Sequence, residues 1–148
     1  EHLVLTSAKK VPKDYFGSHL FRKPHELEKL LVEGLCQAGD TQLPHVSVVK
    51  HLKSFVNGDL DTLFPPEDYA RVIAHPQRYN DDNPPLRMSN VVFPKSSTSR
   101  KIVLAVGPEG GWTEDNELDM FRDQGFQQIS LGTRILRSDV AVVSLLSL

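Results

Sequence analysis

At 148 residues, 39% hydrophobic and 24% charged, the chain has the size and make-up of one soluble globular domain able to bury its own core. A net charge of −2 excludes a domain that grips nucleic acid through bulk positive charge, so an RNA or DNA substrate needs phosphate contacts from another domain or subunit. The single cysteine, Cys36, excludes an intramolecular disulfide and agrees with a reducing compartment. No apolar run is long enough to span a bilayer, and no signal-peptide pattern is present. The chain starts at Glu1 rather than Met and ends in the apolar run VVSLLSL, so both ends read as cut and a longer parent protein is expected.

In chain order, residues 2–10 (HLVLTSAKK) predict a strand, followed by a loop with Pro12 and Gly17. Pro24 suits the first turn of a helix, and Leu27, Leu30, Leu31, Leu35 and Ala38 then recur on one face up to a stop at Gly39. Cys36 in this helix reads as a small buried residue. Residues 45–50 predict a strand, and 51–64 a helix or helical turn ending near Pro65 and Pro66. Residues 69–76 (YARVIAHP) predict a strand with a proline stop. Residues 77–100 read as a long loop with a short element around Val91 to Phe93. The apolar run 101–107 (KIVLAVG) has the pattern of a strand buried on both faces. A helix over 113–125 closes at Gly125, a strand covers 127–132 and an apolar helix covers 138–148. Alternating strands and helices predict an α/β fold with a mainly parallel sheet and helices on both faces, its ligands held beyond the carboxyl ends of the strands.

Both glycine-bearing turns lie at such ends. In the first, GPEGGWTEDNE (107–117), Gly107, Gly110 and Gly111 permit positive φ and let a ligand approach the backbone. Thr113 is a candidate N-cap, and Glu114, Asp115 and Glu117 suit a helix start. Those acids, with Glu109, oppose a polyphosphate, and no P-loop or G-x-G-x-x-G spacing is present. A compact, phosphate-free, neutral or cationic ligand fits better, and S-adenosylmethionine is one such molecule. A well-capped strand-to-helix turn without a ligand is the plain alternative. In the second turn, SLGTRILRSD (130–139), Arg134 and Arg137 stand among Leu131, Ile135 and Leu136, so the loop is expected to pack down and aim its guanidinium groups locally.

Together, GPEGGWTEDNE and SLGTRILR resemble the signatures of the RsmE family of ribosomal RNA methyltransferases, of the SPOUT class. Residues 33–50 and the VIAHP run at 72–76 are similar to that family as well. The resemblance implies one methyltransferase domain over residues 1–148, with a C-terminal trefoil knot and without the family's N-terminal RNA-gripping barrel. It implies a homodimer, no metal and no membrane, with ribosomal RNA or the small ribosomal subunit as partner. The implied reaction moves methyl from S-adenosylmethionine to N3 of a uridine in small-subunit ribosomal RNA. The implied compartment is a bacterial cytoplasm or an organelle interior, since GLCQAGDT is similar to cyanobacterial and plant members.

Under that resemblance, Val106, Gly107, Pro108, Glu109, Gly110 and Gly111 hold the cofactor from one turn. Ser130, Leu131, Gly132, Ile135 and Leu136 hold it from the other. Uridine N3 is a weakly acidic imide, so a carboxylate that takes its proton and an arginine that opposes charge on the ring carbonyls are expected: Asp139 and Arg137. Arg134 is expected on RNA phosphate. Asp139 reads equally as the N-cap of the last helix. Glu109 reads as a turn acid before a general base, and His75 as a structural histidine before a pocket residue. The family usually continues RILR with Thr or Val and then Glu-Thr-Ala, and often has glutamate where Cys36 stands. Here the run is Ser138, Asp139, Val140, Ala141, a departure that puts activity in question. The alternatives are a catalytically degenerate SPOUT-fold module binding RNA or the ribosome, and an ordinary nucleotide-binding α/β domain.

Overall fold

The computed structural model describes residues 1–76, 84–95 and 100–148, so part of the expected 77–100 loop lies outside the described residues. Two compact units emerge, one of Glu1–Ser7 with Val11–Leu52 and one of Ala8–Lys10 with Lys53–Leu148. Every strand pairing is parallel, and each unit has its own sheet.

In the first unit β1 (His2–Thr6) pairs with β2 (His45–Val49), His2 opposite His45. The strand β1 ends sooner than its sequence predicts, because Ser7 turns its hydroxyl onto the Lys50 carbonyl at 2.7 Å. His2 meets Ser47 Oγ at 2.8 Å and the His45 ring edge-on. Burial, then His45 and the N-terminal amine, lower its pKa below the ordinary value. A short helix α1 (His19–Arg22) precedes α2 (Pro24–Ala38), which ends as expected at Gly39, left-handed at φ 67°. Of the apolar residues expected on one face of α2, only Leu27, Leu31 and Leu35 are half-buried, while Leu30 and Ala38 are exposed. Cys36 lies off that stripe and is exposed, correcting the buried residue expected there.

In the second unit the strand order is β4-β3-β5, with β3 (Tyr69–Ala74) between β4 (Lys101–Val106) and β5 (Gln127–Ile129). The most buried strand is β3, whose residues 70–73 are all buried. The strand β4, expected to be covered on both faces, has no fully buried residue, because it pairs on one side only among the described residues. A helical run precedes β3: α3 (Leu52–Ser54), a π-type turn (Phe55–Asp59) and α4 (Leu60–Leu63), stopping before Pro65. In place of the expected element at 91–93, a 3₁₀ turn covers Met88–Asn90 and Leu86 bridges to Ile129. The helix after the glycine turn is a π-type turn (Glu114–Leu118) followed by α5 (Asp119–Asp123). The chain closes with α6 (Ser138–Leu146). Ala70, Val72, Val91, Ile129 and Leu145 form the core of the unit, and Trp112, Phe121 and Phe126 make a chain of edge-on rings beside it.

A buried arginine on the central strand escaped the sequence reading. Arg71 donates Nη1 to the Gln124 carbonyl at 2.9 Å and Nη2 to the Phe64 carbonyl at 3.1 Å, and it pairs with Asp61. It thereby fastens the ends of α4 and α5 to β3. Arg71→Met is expected to cost ~3 kcal/mol in urea unfolding, since it strands two carbonyls and an acid. Asp61 is 62% exposed, so Asp61→Asn is expected to cost about 1 kcal/mol or less.

Candidate functional site

Parallel pairing of three strands brings three carboxyl ends to one edge of the second unit, and a cavity of about 190 Å³ opens there. Ala74, His75 and Pro76, at the end of β3, form one wall. The turn after β4 gives Val106, Gly107, Pro108, Glu109, Gly111 and Trp112. The loop after β5 gives Ser130, Leu131, Arg134, Ile135 and Leu136, and α6 closes the cavity with Ser138, Ala141 and Leu145.

The first turn needs its glycines for two different reasons. Gly111 sits at φ 67° and donates its N–H to the Pro108 carbonyl at 2.8 Å, a conformation that side chains resist. Gly107 makes room for a neighbour: a Cβ there would lie 3.1 Å from Trp112 Nε1. Trp112 is 3% exposed, and its indole N–H has no acceptor among the described residues. In the second turn Ser130 Oγ donates to the Gly132 carbonyl at 2.7 Å, and Gly132 takes φ 141°. Ser138 Oγ donates to the Gly107 carbonyl at 3.0 Å, so one hydroxyl on α6 ties the two halves of the cavity together.

Nine of the eleven residues expected to hold a cofactor line this cavity: Val106 to Glu109, Gly111, Ser130, Leu131, Ile135 and Leu136. Gly110 and Gly132 do not. Gly110 faces the Lys10 side chain, and Gly132 is folded into the Ser130 turn. Arg134, expected on RNA, is in the wall, and so is His75. Arg137 and Asp139 are outside it, 82% and 64% exposed and paired at 3.2 Å. The N-cap position of α6 belongs to Arg137, while Asp139 sits in the first turn and accepts the Val140 N–H at 2.9 Å.

Thr113 occupies the N-cap position, yet its hydroxyl donates to Glu117 at 2.9 Å instead of capping. The sequence reading gave no role to Trp112 or Ser138. Trp112 follows the glycines directly, which was a usable signal, whereas the Ser138 contact joins two distant segments and left none. On the wall, one carboxylate (Glu109) and one guanidinium (Arg134) stand among mainly apolar groups. That set suits a ligand with an apolar body and a few charges of both signs, and a lone guanidinium opposed by an acid suits a polyphosphate poorly.

A family model described as an RNA methyltransferase domain matches residues 1–148. The chain belongs to this family. It is similar to the ribosomal RNA small subunit methyltransferase E of Treponema pallidum, 26% identical over 140 residues, 95% of this chain and 47% of the relative. The protein of the same name from Synechocystis sp. is 50% identical over 54 residues, 36% of this chain and 18% of that one. Among solved structures, a ribosomal RNA small subunit methyltransferase E from Neisseria gonorrhoeae bound to S-adenosyl methionine shares the fold at a TM-score of 0.73 and 23% identity, covering 99% of this chain and 53% of that chain. The chain spans about half the length of the relatives it matches end to end.

Trp112 is the protein's one tryptophan, so its emission reports on the cavity. Gly107→Ala presses on the indole and is expected to shift the emission of the ligand-free protein. Gly58→Ala, which meets nothing within 4 Å, is the control and is expected to leave it unchanged. Equal spectra for both variants would contradict the packing described here.

Proposed function

We propose that this domain transfers the methyl group of S-adenosylmethionine to N3 of a uridine in small-subunit ribosomal RNA. The observation that carries this reading is the cavity itself: apolar walls with one acid and one guanidinium, at the carboxyl ends of three parallel strands, in a chain of an RNA methyltransferase family. The residues present fit the cofactor. Leu131, Ile135 and Leu136 offer an apolar bed for a purine, and the buried Trp112 N–H has no acceptor among the described residues. Arg134, expected on RNA phosphate, lines the cavity and would there meet a carboxylate, and Glu109 a positive charge. When bound, the cofactor supplies a methyl group activated by its attachment to a sulfonium.

The remaining chemistry falls to the chain. The imide proton of N3 must leave before or during attack, and Asp139 is the acceptor we assign, with Arg137 opposing the charge that grows on the ring carbonyls. Both stand at the solvent-facing start of α6, one residue either side of the wall residue Ser138, on the side from which an RNA base would arrive.

Two finer features belong to the same proposal. Apolar residues surround α6, yet Val143 is 70% and Leu146 76% exposed, a surface that a second copy of the chain would cover. The Ser138 bond to Gly107 and the packing of Ala141 and Leu145 in the cavity support a knotted path, with α6 passing through the loop before it. A degenerate binding module is the second reading, favoured by the mutual pairing of Arg137 and Asp139 outside the cavity wall.

Calorimetry with S-adenosylmethionine and S-adenosylhomocysteine, against ATP and NAD, tests the cofactor. Micromolar binding of the first two alone is expected; no binding by a folded dimer would favour the second reading. In the full-length protein, Asp139→Asn is expected to lower kcat on ribosomal RNA by about 10²–10⁴-fold with cofactor Kd unchanged.

A further inference from the structure

Among the described residues two charged side chains are buried, Arg71 and Glu117, and they are satisfied in different ways. Arg71 has an acid partner. Glu117, 7% exposed, has no cation against it among the described residues: one oxygen accepts the Lys9 main-chain N–H at 2.7 Å. The other accepts the N–H and the hydroxyl of Thr113, both at 2.9 Å. The carboxylate therefore joins a segment near the start of the chain to the helix start that follows the glycine turn. The next residue, Lys10, lies along the outside of the same turn. Its Cβ is 3.0 Å from where a Cβ on Gly110 would stand, and its ammonium donates to the Trp112 carbonyl at 3.4 Å. On the inner side the turn faces the cavity, with His75 Cε1 3.8 Å from the equivalent point on Gly111.

We propose that Glu117 and Lys10 are positioning residues: together with the Lys9 main chain they clasp the glycine turn from outside and hold Gly107 to Trp112 in the shape that forms the cavity wall. The absence of a side chain at Gly110 serves this clasp and not a ligand, because the atoms that crowd it belong to Lys10 and Gly110 does not line the cavity. A buried carboxylate with three donors and no counter-charge is costly to keep unless those donors are fixed. Holding them fixed fixes the turn. The ligand part of this inference rests on the cofactor reading above.

Two independent perturbations test it. Glu117→Gln keeps the shape and replaces one acceptor by a donor. It is expected to raise the Kd for S-adenosylhomocysteine about tenfold or more. It is also expected to increase acrylamide quenching of Trp112 in the ligand-free protein. Gly110→Ala pushes on Lys10 and is expected to weaken binding similarly, and adding Lys10→Gly to it is expected to restore most of the loss. If Glu117 and Lys10 served stability alone, thermal unfolding would move down with Kd and quenching unchanged, and the Gly110 and Lys10 effects would add without rescue; that result overturns the proposal. Should the wild-type protein bind no S-adenosylhomocysteine, the cofactor reading fails, and the ligand-free quenching still decides the clasp. Increased quenching in Glu117→Gln and in Gly110→Ala, reversed by Lys10→Gly, supports it; unchanged quenching in both overturns it.

Discussion

The parallel pairing of β3 on both of its edges is the constraint from which the site follows. Parallel strands enter the sheet from the same end, so the chain leaves β3, β4 and β5 at one edge. Three exits crowded together leave a concavity that no single loop could make. Its walls are the first residues after each strand, which is why a glycine turn, a proline stop and a leucine-rich loop from three distant stretches share one cavity. Burial of β3 at Val72 and Ile73 anchors the arrangement, and Arg71 pins the helices on either side of it. The sheet supplies the buried frame, and the loops supply most of the cavity wall.

Much of this was legible in the sequence because the signals were local. Pro24 and Gly39 bracket α2 by fixed φ at one end and left-handed backbone at the other, properties those residues bring with them. The strands from Tyr69 and Lys101 were marked by apolar runs rich in Val and Ile that end in proline or glycine, and the short one from Gln127 by the glycine that closes QQISLG. What misled was composition without partners. The run KIVLAV is more apolar than its place requires, since among the described residues β4 has one neighbour and β3 has two. Cys36 and Leu30 lay on a helix whose buried stripe is narrower than its apolar content. Of the site, the glycine turn and the 130–136 loop were legible as motifs. Ser138 was not, because its role comes from a contact with Gly107 that only the fold creates, whereas Trp112 was marked by its place after the glycines and was passed over.

The glycines of the turn divide their work. One accommodates backbone, at Gly111; one accommodates an indole, at Gly107; one accommodates a lysine from the other end of the chain, at Gly110. A motif that reads as a single ligand cradle is thus largely a packing solution, in which a ligand would meet a surface shaped by two internal neighbours and one left-handed residue. The acids beside it follow the same logic. Glu117 is drawn inward by main-chain donors, whereas Glu109 is left at the cavity, so two carboxylates of one motif have opposite environments and separate tasks.

The same division bears on the departure from the family pattern at the start of α6. Ser138 lies in the cavity wall and keeps a hydroxyl that donates to Gly107, so a serine there preserves the tie between the two loops. Asp139 and Val140 face away from the wall, and both are exposed. A shorter acid and a missing hydroxyl at those positions leave the shape of the cavity untouched. They alter only the rim, where an RNA base and its proton would be handled. If Asp139 takes the proton, as proposed, cofactor holding and proton handling are separable, because Asp139 stands at the rim beside the wall residue Ser138 and not in the wall. A chain could lose the second and keep the first; on the proposed assignment Asp139 is the residue whose loss would separate an enzyme from a binding module, while the glycine turn would be common to both.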